Sequence, residues 1–286
     1  MENITVKAYA KINIGLNVVK KREDGFHNLE TVFYQLKNLY DELTFEKANS
    51  YELIINNHEN LTENNLITSA LRLLEKLTGK TLKVKITLTK KIPVGAGLGG
   101  GSSDAAVTLS ALNTLFNLDL PKELLQKSAL QLGSDVPLFL FDYPTIGKSR
   151  GEILEKINLK ISHPILLINP GIHISTKKAF EKITPHKNNF DYSKLTSLPI
   201  NAWQDNIVND FESGIFELYP EIKKIKIDLI QAGALFSLMS GTGSTVYGIF
   251  PNLKKAKEAK NIFRDNHFTF IQYNMNKKLY DNRRHK

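Results

Sequence analysis

Residues 93–106, PVGAGLGGGSSDAA, decide how the rest of the chain is interpreted. The stretch holds five of the 17 glycines, and glycine permits positive φ and close approach of another group to the backbone. Ser102, Ser103 and Asp104 are favourable N-cap residues, and an alanine-rich helical pattern follows them. A glycine loop at a helix N-terminus presents free backbone N–H groups and the positive end of the helix dipole. The stretch therefore predicts a phosphate-binding site.

Three better-known phosphate-binding motifs do not fit this loop. Gly95, Gly97 and Gly100 match G-x-G-x-x-G, but the dinucleotide fold also needs an acidic residue at the end of the next strand. Asp119 has about the right spacing, yet residues 118–121 lead into a helix instead. No lysine follows the glycines as in a P-loop, and the V-A-I-K and H-R-D motifs of protein kinases are missing.

The surrounding pattern mixes strands and helices. Strict alternation over residues 6–18 predicts a half-buried strand, with Lys11 and Asn13 on the face opposite its apolar residues. The other predicted strands are 29–36, 42–45, 51–56, 82–88, 165–168, 236–239, 245–250 and 268–273. The predicted helices are 66–77, 105–116, 122–132, 176–183, 207–218, 222–230 and 253–263. Residues 142–151 and 186–201 are predicted to be loops, and a domain boundary is expected near residue 150.

The amino-acid composition limits the class of protein to which the chain can belong. The 286 residues are 42% hydrophobic and 23% charged, which is typical of a globular chain. The absence of cysteine excludes disulfides, thiolate zinc sites and a cysteine nucleophile, and it fits a reducing compartment. The first residues do not resemble a signal peptide, and no apolar run reaches the roughly 18 residues of a membrane span. A soluble cytoplasmic protein with no membrane partner is expected.

The formal charge of +9 has three interpretations. It could serve nucleic-acid binding, attract small polyanionic substrates, or reflect background composition. The sequence contains no stripe of interleaved aromatic and basic residues of the kind that binds single strands. The basic segment 274–286 is expected to be a solvated end.

Four further features have both a structural and a functional interpretation. Lys11 could be a solvated lysine or a site residue, and Asp135, before the apolar run 136–141, could cap a helix or act as a base. Phe26 and His27 follow the turn at Gly25, and could be ordinary turn-flanking residues. The turn at residues 240–244 could join a hairpin, or could pack against the first glycine loop.

The combination of motifs resembles a known family. Three stretches, AKINIGL (10–16), PVGAGLGGGSS (93–103) and SGTGSTV (240–246), match in order the GHMP superfamily of galacto-, homoserine, mevalonate and phosphomevalonate kinases. Within it the chain is similar to the branch that phosphorylates a cytidine diphosphate derivative, through REDGFHNL (22–29), ENNLI (63–67) and LGSDVPLF (132–139). That branch often has tyrosine at the position of Phe26, so stacking is retained and any phenol hydrogen bond is lost.

The resemblance implies an α+β, two-domain GHMP-kinase-like fold with the active site in the interdomain cleft. Residues 1–150 would form the ATP-binding domain and residues 151–286 the substrate side. ATP would be the cosubstrate, with Mg²⁺, whose ligands the sequence does not identify; Ser102, Ser103 and Asp104 are only near enough to be candidates. Implied ATP contacts are Pro93, Val94, Gly95, Ala96, Gly97, Leu98, Gly99, Gly100, Gly101, Ser102, Ser103, Asn65 and Leu66.

The resemblance also implies roles for the other candidates. Asp135 would take the proton from the acceptor hydroxyl, and Lys11 would hold that hydroxyl and the developing charge. Implied contacts to the small-molecule cytidine diphosphate substrate are Asn13, Phe26, His27, Lys148 and Thr176, with the Phe26–His27 pair gripping the cytosine. Homoserine or mevalonate kinase activity, or a nucleic-acid-binding role without ATP turnover, would be the alternatives. The sequence does not give the oligomeric state.

Overall fold

The computed structural model describes residues 2–56, 65–186 and 190–273. The basic segment 274–286 and the first two residues of the ENNLI motif lie outside the described residues. The strands are β1 (Asn3–Lys21), β2 (His27–Lys47), β3 (Glu52–Asn56), β4 (Val84–Thr89), β5 (Thr145–Ser149), β6 (Ile153–Lys156), β7 (Ile165–Asn169), β8 (Phe236–Met239), β9 (Val246–Ile249) and β10 (Phe268–Gln272). The helices are α1 (Leu66–Thr78), α2 (Gly100–Leu115), α3 (Lys122–Leu132), α4 (Thr176–Glu181), α5 (Phe211–Leu218), α6 (Pro220–Gln231) and α7 (Leu253–Phe263).

Two sheets organise the molecule. The first has the order β3-β4-β2-β5-β6, with β1 paired antiparallel to the long strand β2. The second has the order β10-β7-β9-β8. One hydrophobic core packs α1 and α2 against the first sheet, and another packs helices α5 to α7 against the second. A third core, including Ile12, Val32, Leu167 and Tyr247, joins strands of both sheets.

Most predicted elements are confirmed, and four differ from the structure. The predicted strands 29–36 and 42–45 are one continuous strand, β2, because its residues pair first with β5 and then with β4. The predicted loop 142–151 contains β5, which at five residues is too short to show an alternating pattern. The predicted helix 207–218 starts only at Phe211, since the backbone around Val208 is hydrogen-bonded to Leu16 of β1 instead.

The polypeptide passes from the first sheet to the second between β6 and β7. The β5–β6 hairpin spans residue 150, so both strands on either side of that point belong to the first sheet. The division into domains at residue 150 stays a prediction. Across the described residues, no helix is long and apolar enough to cross a membrane.

Candidate active site

The glycine loop connects β4 to α2 and is held by a second glycine turn. Gly95, Gly97 and Gly99 all have positive φ, which an L side chain disfavours. A Cβ on Gly97 would also overlap the carbonyl oxygen of Ser240 in the second turn. Ser240 Oγ donates to the Gly97 carbonyl over 2.9 Å, and the Thr245 amide donates to the Ala96 carbonyl over 3.2 Å. Both interpretations of the second turn hold, because it joins the antiparallel strands β8 and β9 and also packs against the first loop.

A cavity of about 450 Å³ lies along the loop and the N-terminus of α2. Asn65 borders it and caps α1, its Oδ1 accepting from the Ile67 amide over 2.8 Å. The predicted ATP contacts among its lining residues are Pro93, Val94, Gly95, Ala96, Gly97, Gly99, Gly100, Gly101, Ser102, Asn65 and Leu66. We call this the nucleotide cavity. Its walls combine the backbone amides expected of a phosphate cradle with the first turn of α1.

Two predicted ATP contacts, Leu98 and Ser103, do not line the nucleotide cavity. The Leu98 side chain is buried in the core between the sheets, and its carbonyl accepts from the Lys11 amide over 2.9 Å. Ser103 follows Ser102 on α2, and consecutive helix residues point about 100° apart. Ser102 therefore borders the nucleotide cavity while Ser103 borders a different one.

Lys11 and Asp135 come together although 123 positions separate them (135 − 11 − 1). Lys11 Nζ lies 3.7 Å from Asp135 Oδ2, and it donates to Asn13 Oδ1 over 2.6 Å and to the Gly97 carbonyl over 3.1 Å. Burial lowers the pKa of Lys11, and the neighbouring Asp135 carboxylate opposes that shift. The Lys11 side chain is 4% exposed whereas that of Asp135 is 38% exposed, so the carboxylate remains accessible to a bound molecule.

A second cavity, of about 520 Å³, contains this pair, and we call it the acceptor cavity. It shares four lining residues with the nucleotide cavity, namely Gly95, Gly97, Gly99 and Thr176. The two cavities therefore meet at the glycine loop, and Lys11 and Asp135 lie on the acceptor side of the junction.

Asn13 is fixed by contacts from four directions, which hold its carboxamide beside Lys11. Besides accepting from Lys11, its side chain donates to Thr31 Oγ1 over 3.0 Å. Its amide donates to Ser240 Oγ over 3.2 Å, and its carbonyl accepts from Tyr247 Oη over 2.9 Å. Asn13 lines the acceptor cavity, as predicted for a substrate contact.

Phe26 and His27 lie at the β1–β2 turn, outside the set of residues that line the acceptor cavity. The His27 ring stacks on Phe180 at 4.9 Å between centroids, and Phe180 does line that cavity. Phe26 is 50% exposed, with the Arg150 guanidinium 4.4 Å from its ring centroid. Burial and nearby Lys21 lower the pKa of His27, which favours a neutral imidazole able both to donate and to accept.

Lys148 is not brought to either cavity. Its ammonium donates to both carboxylate oxygens of Glu155 on the adjacent strand β6, over 2.8 and 2.9 Å. This pairing leaves the predicted acceptor contact at Lys148 without structural support. Thr176, in contrast, borders both cavities at the start of α4.

Several residues of the acceptor cavity were missed by the sequence analysis. They are Thr31, Phe33, His173, Lys177 and Phe180. The His173 ring lies directly over Gly95, where a Cβ would come within 2.6 Å of Nδ1. None carries a local signal, because each belongs to an ordinary strand, loop or helix pattern and reaches the cavity only through the tertiary fold.

A buried ionic cluster contributes Lys90 and Asp104 to the lining of the nucleotide cavity. Lys90 Nζ donates to Asp41 Oδ2 over 2.6 Å and to Asp104 Oδ2 over 2.8 Å. Asp41 also accepts from the amides of Lys91 and Ile92. Burial raises the pKa of Asp104 to about 7, with Lys90 opposing and Asp41 reinforcing the shift.

The few side-chain oxygens around the nucleotide cavity suit a Mg²⁺ ion whose other ligands are phosphate oxygens of the nucleotide. The described residues contain no group of three or more His, Cys, Asp or Glu side chains that could hold a metal ion. Mg²⁺ needs no such cage, because it binds through one or two carboxylates, waters and substrate phosphates. Asp104 Oδ2 accepts from Lys90, whereas its Oδ1 has no hydrogen-bond partner among the described residues. Asp104 and Ser102 both line the nucleotide cavity, and their side-chain oxygens are of the type that Mg²⁺ prefers.

Comparison with known proteins identifies the family. Residues 65–143 match the model of the GHMP kinases N terminal domain, and residues 197–268 match that of the GHMP kinases C terminal domain. The chain belongs to the GHMP kinase family, and it is an ATP-dependent small-molecule kinase.

Relatives that match over nearly the full length show which branch of the family the chain is most similar to among those compared. The 4-diphosphocytidyl-2-C-methyl-D-erythritol kinase of Chlorobium phaeobacteroides is 41% identical over 285 residues, covering 94% of this chain and 96% of the relative. The enzyme of the same name from Bacteroides thetaiotaomicron is 40% identical, with 84% and 90% covered. A crystal structure of 4-(cytidine 5'-diphospho)-2C-methyl-D-erythritol kinase superposes with a TM-score of 0.83 at 31% identity, covering 94% of this chain and 98% of that one. Cytophaga hutchinsonii homoserine kinase, 19% identical with a TM-score of 0.68, shares the fold.

Proposed function

We propose that the protein transfers the γ-phosphoryl group of ATP to the 2-hydroxyl of 4-diphosphocytidyl-2-C-methyl-D-erythritol. The products are ADP and the 2-phosphate, and the reaction belongs to the non-mevalonate route to isoprenoid precursors. The observation that carries the proposal is the Lys11–Asp135 pair at the junction of the two cavities. The similarity to full-length kinases of that name supports the choice of acceptor.

Phosphoryl transfer depends mainly on positioning and on stabilising charge. ATP occupies the nucleotide cavity with its phosphates along the glycine loop, so that backbone amides and the N-terminus of α2 compensate their charge. The acceptor hydroxyl enters from the other cavity and lies between Lys11 and Asp135. Residues that line both cavities, such as Gly97 and Thr176, mark where the two substrates approach each other.

Asp135 and Lys11 have different roles in the reaction. Asp135 accepts the proton of the acceptor hydroxyl as its oxygen bonds to the γ-phosphorus, and the bond from that phosphorus to the β–γ bridging oxygen breaks to release ADP. Lys11 stabilises the negative charge that develops around the transferred group. Its hydrogen bonds to Asn13 and Gly97 fix the ammonium before the substrates arrive, which reduces reorganisation during the reaction.

Mg²⁺ accompanies the nucleotide in this proposal. The Ser102 hydroxyl would hold it together with the phosphates and waters, and the ion would neutralise phosphate charge. The cytosine would be gripped by Phe26 and His27, with Lys177 supplying a cation near the acceptor diphosphate. A cytoplasmic location stays a prediction.

A coupled ADP-release assay tests the proposal. Purified protein is offered ATP, Mg²⁺ and, in parallel, the cytidine substrate, mevalonate or homoserine, with Asp135→Asn protein as the background control. We expect ADP release above background only with the cytidine compound. Release with mevalonate or homoserine alone would overturn the acceptor assignment, and salt-dependent nucleic-acid binding without ADP release would favour the nucleic-acid alternative.

A further inference from the structure

A third cavity, of about 240 Å³, lies beside the face of α2 that carries Ser103 and Val107. None of its lining residues belongs to the nucleotide or the acceptor cavity. Residues from β1, β2, α2, the start of α3 and the segment 139–143 build it together. Its volume is below the roughly 300–1,000 Å³ of sites for drug-sized ligands, so it suits a smaller molecule.

The cavity is predominantly cationic. Lys7, Lys37 and Lys122 line it, against one acid, Asp142. Lys37 Nζ is held by Gln35 Oε1 over 2.7 Å, and Gln35 in turn donates to the Phe141 carbonyl over 2.7 Å. These bonds hold an ammonium group at the cavity wall, where it can contact an anion without first being ordered.

Aromatic rings position the lysines. Lys7 Nζ lies 4.3 Å from the centroid of the Tyr40 ring, and Lys37 Nζ lies 4.6 Å from that of Tyr9. Lys122 Nζ lies 4.7 Å from the Phe141 ring centroid. The fold thus assembles an aromatic and basic cluster from separate segments, which no continuous stretch of sequence reveals.

Ser103 supplies an independent indication of a ligand. The residue is 1% exposed, and its Oγ is buried with no hydrogen-bond partner among the described residues. Burying a hydroxyl without a partner costs about 1–3 kcal/mol, so native proteins rarely leave one unsatisfied. Because Ser103 lines the cationic cavity, a bound acceptor oxygen there would satisfy it.

We propose that this cavity is a second anion site, which binds a diphosphate group through Lys7, Lys37, Lys122 and the Ser103 hydroxyl. The proposal goes beyond the kinase reaction and uses none of the residues of the Lys11–Asp135 site. Diphosphate fits better than a nucleic acid strand, because the site is a small, partly open cavity with one buried hydroxyl and not an extended groove with stacking platforms.

Calorimetric titration with inorganic diphosphate tests the site. The protein is first saturated with ADP in Mg²⁺-free buffer, in the same instrument, so that the glycine loop is filled and failure to bind ADP would be seen separately. We expect one diphosphate to bind per chain. Replacing Lys7 and Lys37 together by alanine should weaken binding by about tenfold or more, since charge-assisted hydrogen bonds are lost.

Two further variants test whether diphosphate binds in this cavity. Ser103→Ala should weaken diphosphate binding by at least about threefold, because it removes only the hydroxyl. Lys47→Ala, on the same strand as Lys37 and also over a ring, that of Phe116, should leave binding within about twofold, since screening weakens distant charges. No binding to ADP-filled protein, equal loss in Lys47→Ala, an unchanged Ser103→Ala, or displacement by a single-stranded oligonucleotide would each overturn the proposal.

Discussion

The difference in exposure between Lys11 and Asp135 is the main residue-level feature of the site. A buried ammonium loses hydration, and the pKa of Lys11 is lowered for that reason. The Asp135 carboxylate opposes the shift, and the Asn13 and Gly97 oxygens accept hydrogen bonds that replace water. Asp135 is less enclosed, which leaves it free to take a proton from an incoming hydroxyl. The geometry therefore suits a fixed cation beside an accessible base.

Replacing the proposed base should separate catalysis from binding. Asp135→Asn keeps the size of the side chain and removes its basicity, so kcat should fall by about 10²–10⁴-fold, the usual contribution of a general base. The KM for ATP should change little, because Asp135 lies in the acceptor cavity. Steady-state kinetics with the cytidine substrate measures both quantities, and near-normal turnover would remove Asp135 from the mechanism.

Phe26 offers a test of acceptor recognition. The ring is half exposed, so Phe26→Ala should leave the fold intact. Loss of stacking on the cytosine should raise the KM for the cytidine substrate by about 5- to 150-fold, since base–aromatic stacking contributes about 1–3 kcal/mol. The KM for ATP should not move. Ile153→Ala, which removes a similarly exposed apolar side chain from β6, is the matched control, and an equal effect there would argue against a role for Phe26.

The buried carboxyl of Asp104 should make stability depend on pH. Its pKa is about 7 in the folded chain against an ordinary value of 3.8. Between those values the folded chain holds a proton that the unfolded chain has released, so the free energy of unfolding falls as pH rises. The slope can reach roughly 1.4 kcal/mol per pH unit.

Asp104→Asn should remove that dependence, because asparagine still accepts from Lys90 but does not titrate. We expect the variant to match the wild type near about pH 4 and to be the more stable protein above about pH 7. Urea unfolding across this range measures the difference. Asp265→Asn, whose side chain is 81% exposed, should show no such trend. Parallel pH curves for Asp104→Asn and wild type would contradict the assignment.

At the level of elements, the two glycine turns act as one unit. Ala96 and Gly97 of the first turn accept hydrogen bonds from Thr245 and Ser240 of the second. Asn209 donates to the carbonyls of Met239 and Gly241, which fixes the second turn in its own position. The phosphate-binding loop is therefore shaped partly by residues far later in the chain, with Ser240 lying 143 positions after Gly97.

Gly97→Ala should disrupt this contact. The added Cβ would overlap the Ser240 carbonyl and would require an alanine at φ +77°, so we expect a loss of more than about 2 kcal/mol in unfolding free energy. Gly101→Ala is the matched control, because its Cβ would meet no atom within 4 Å and it lies inside α2. Alanine there should be neutral or stabilising by up to about 1 kcal/mol. Similar melting temperatures for both variants would contradict the argument.

The sequence predicts those features that are encoded in neighbouring residues, and it does not predict those that depend on long-range packing. The glycine loop was predicted from its own residues, and helices α1 and α2 from their regular apolar spacing. Lys11 and Asp135 were ambiguous in the residue pattern and were assigned only through the family resemblance. Strand β5 was missed because five residues containing a glycine show no period, and their pairing with β2 is long-range. Phe180 and His173 reach the acceptor cavity only after the second sheet packs on the first, so the residues next to them in the sequence give no indication of this role.

At the scale of the whole molecule, the core between the sheets makes them interdependent. Ile12 and Val32 come from the first sheet, while Phe236 and Tyr247 come from the second, and all are buried in one cluster. Trp203, the single tryptophan, belongs to the same cluster and meets Phe236 edge-on at 5.6 Å between ring centroids. The active site lies over this shared core, because Lys11 and Asn13 flank Ile12 on β1.

We therefore expect the two sheets to unfold in one transition, although chains of this length often unfold in steps. Fluorescence of Trp203 and far-UV circular dichroism should give coincident urea curves. Ile12→Ala should destabilise both signals together by about 2–5 kcal/mol, as is usual for a large-to-small change in a core. Ile262→Ala, 62% exposed on α7, should change either signal little. If Ile12→Ala moved the dichroism curve and left the fluorescence curve in place, the sheets would be independent units, and the division between them would fall between β6 and β7.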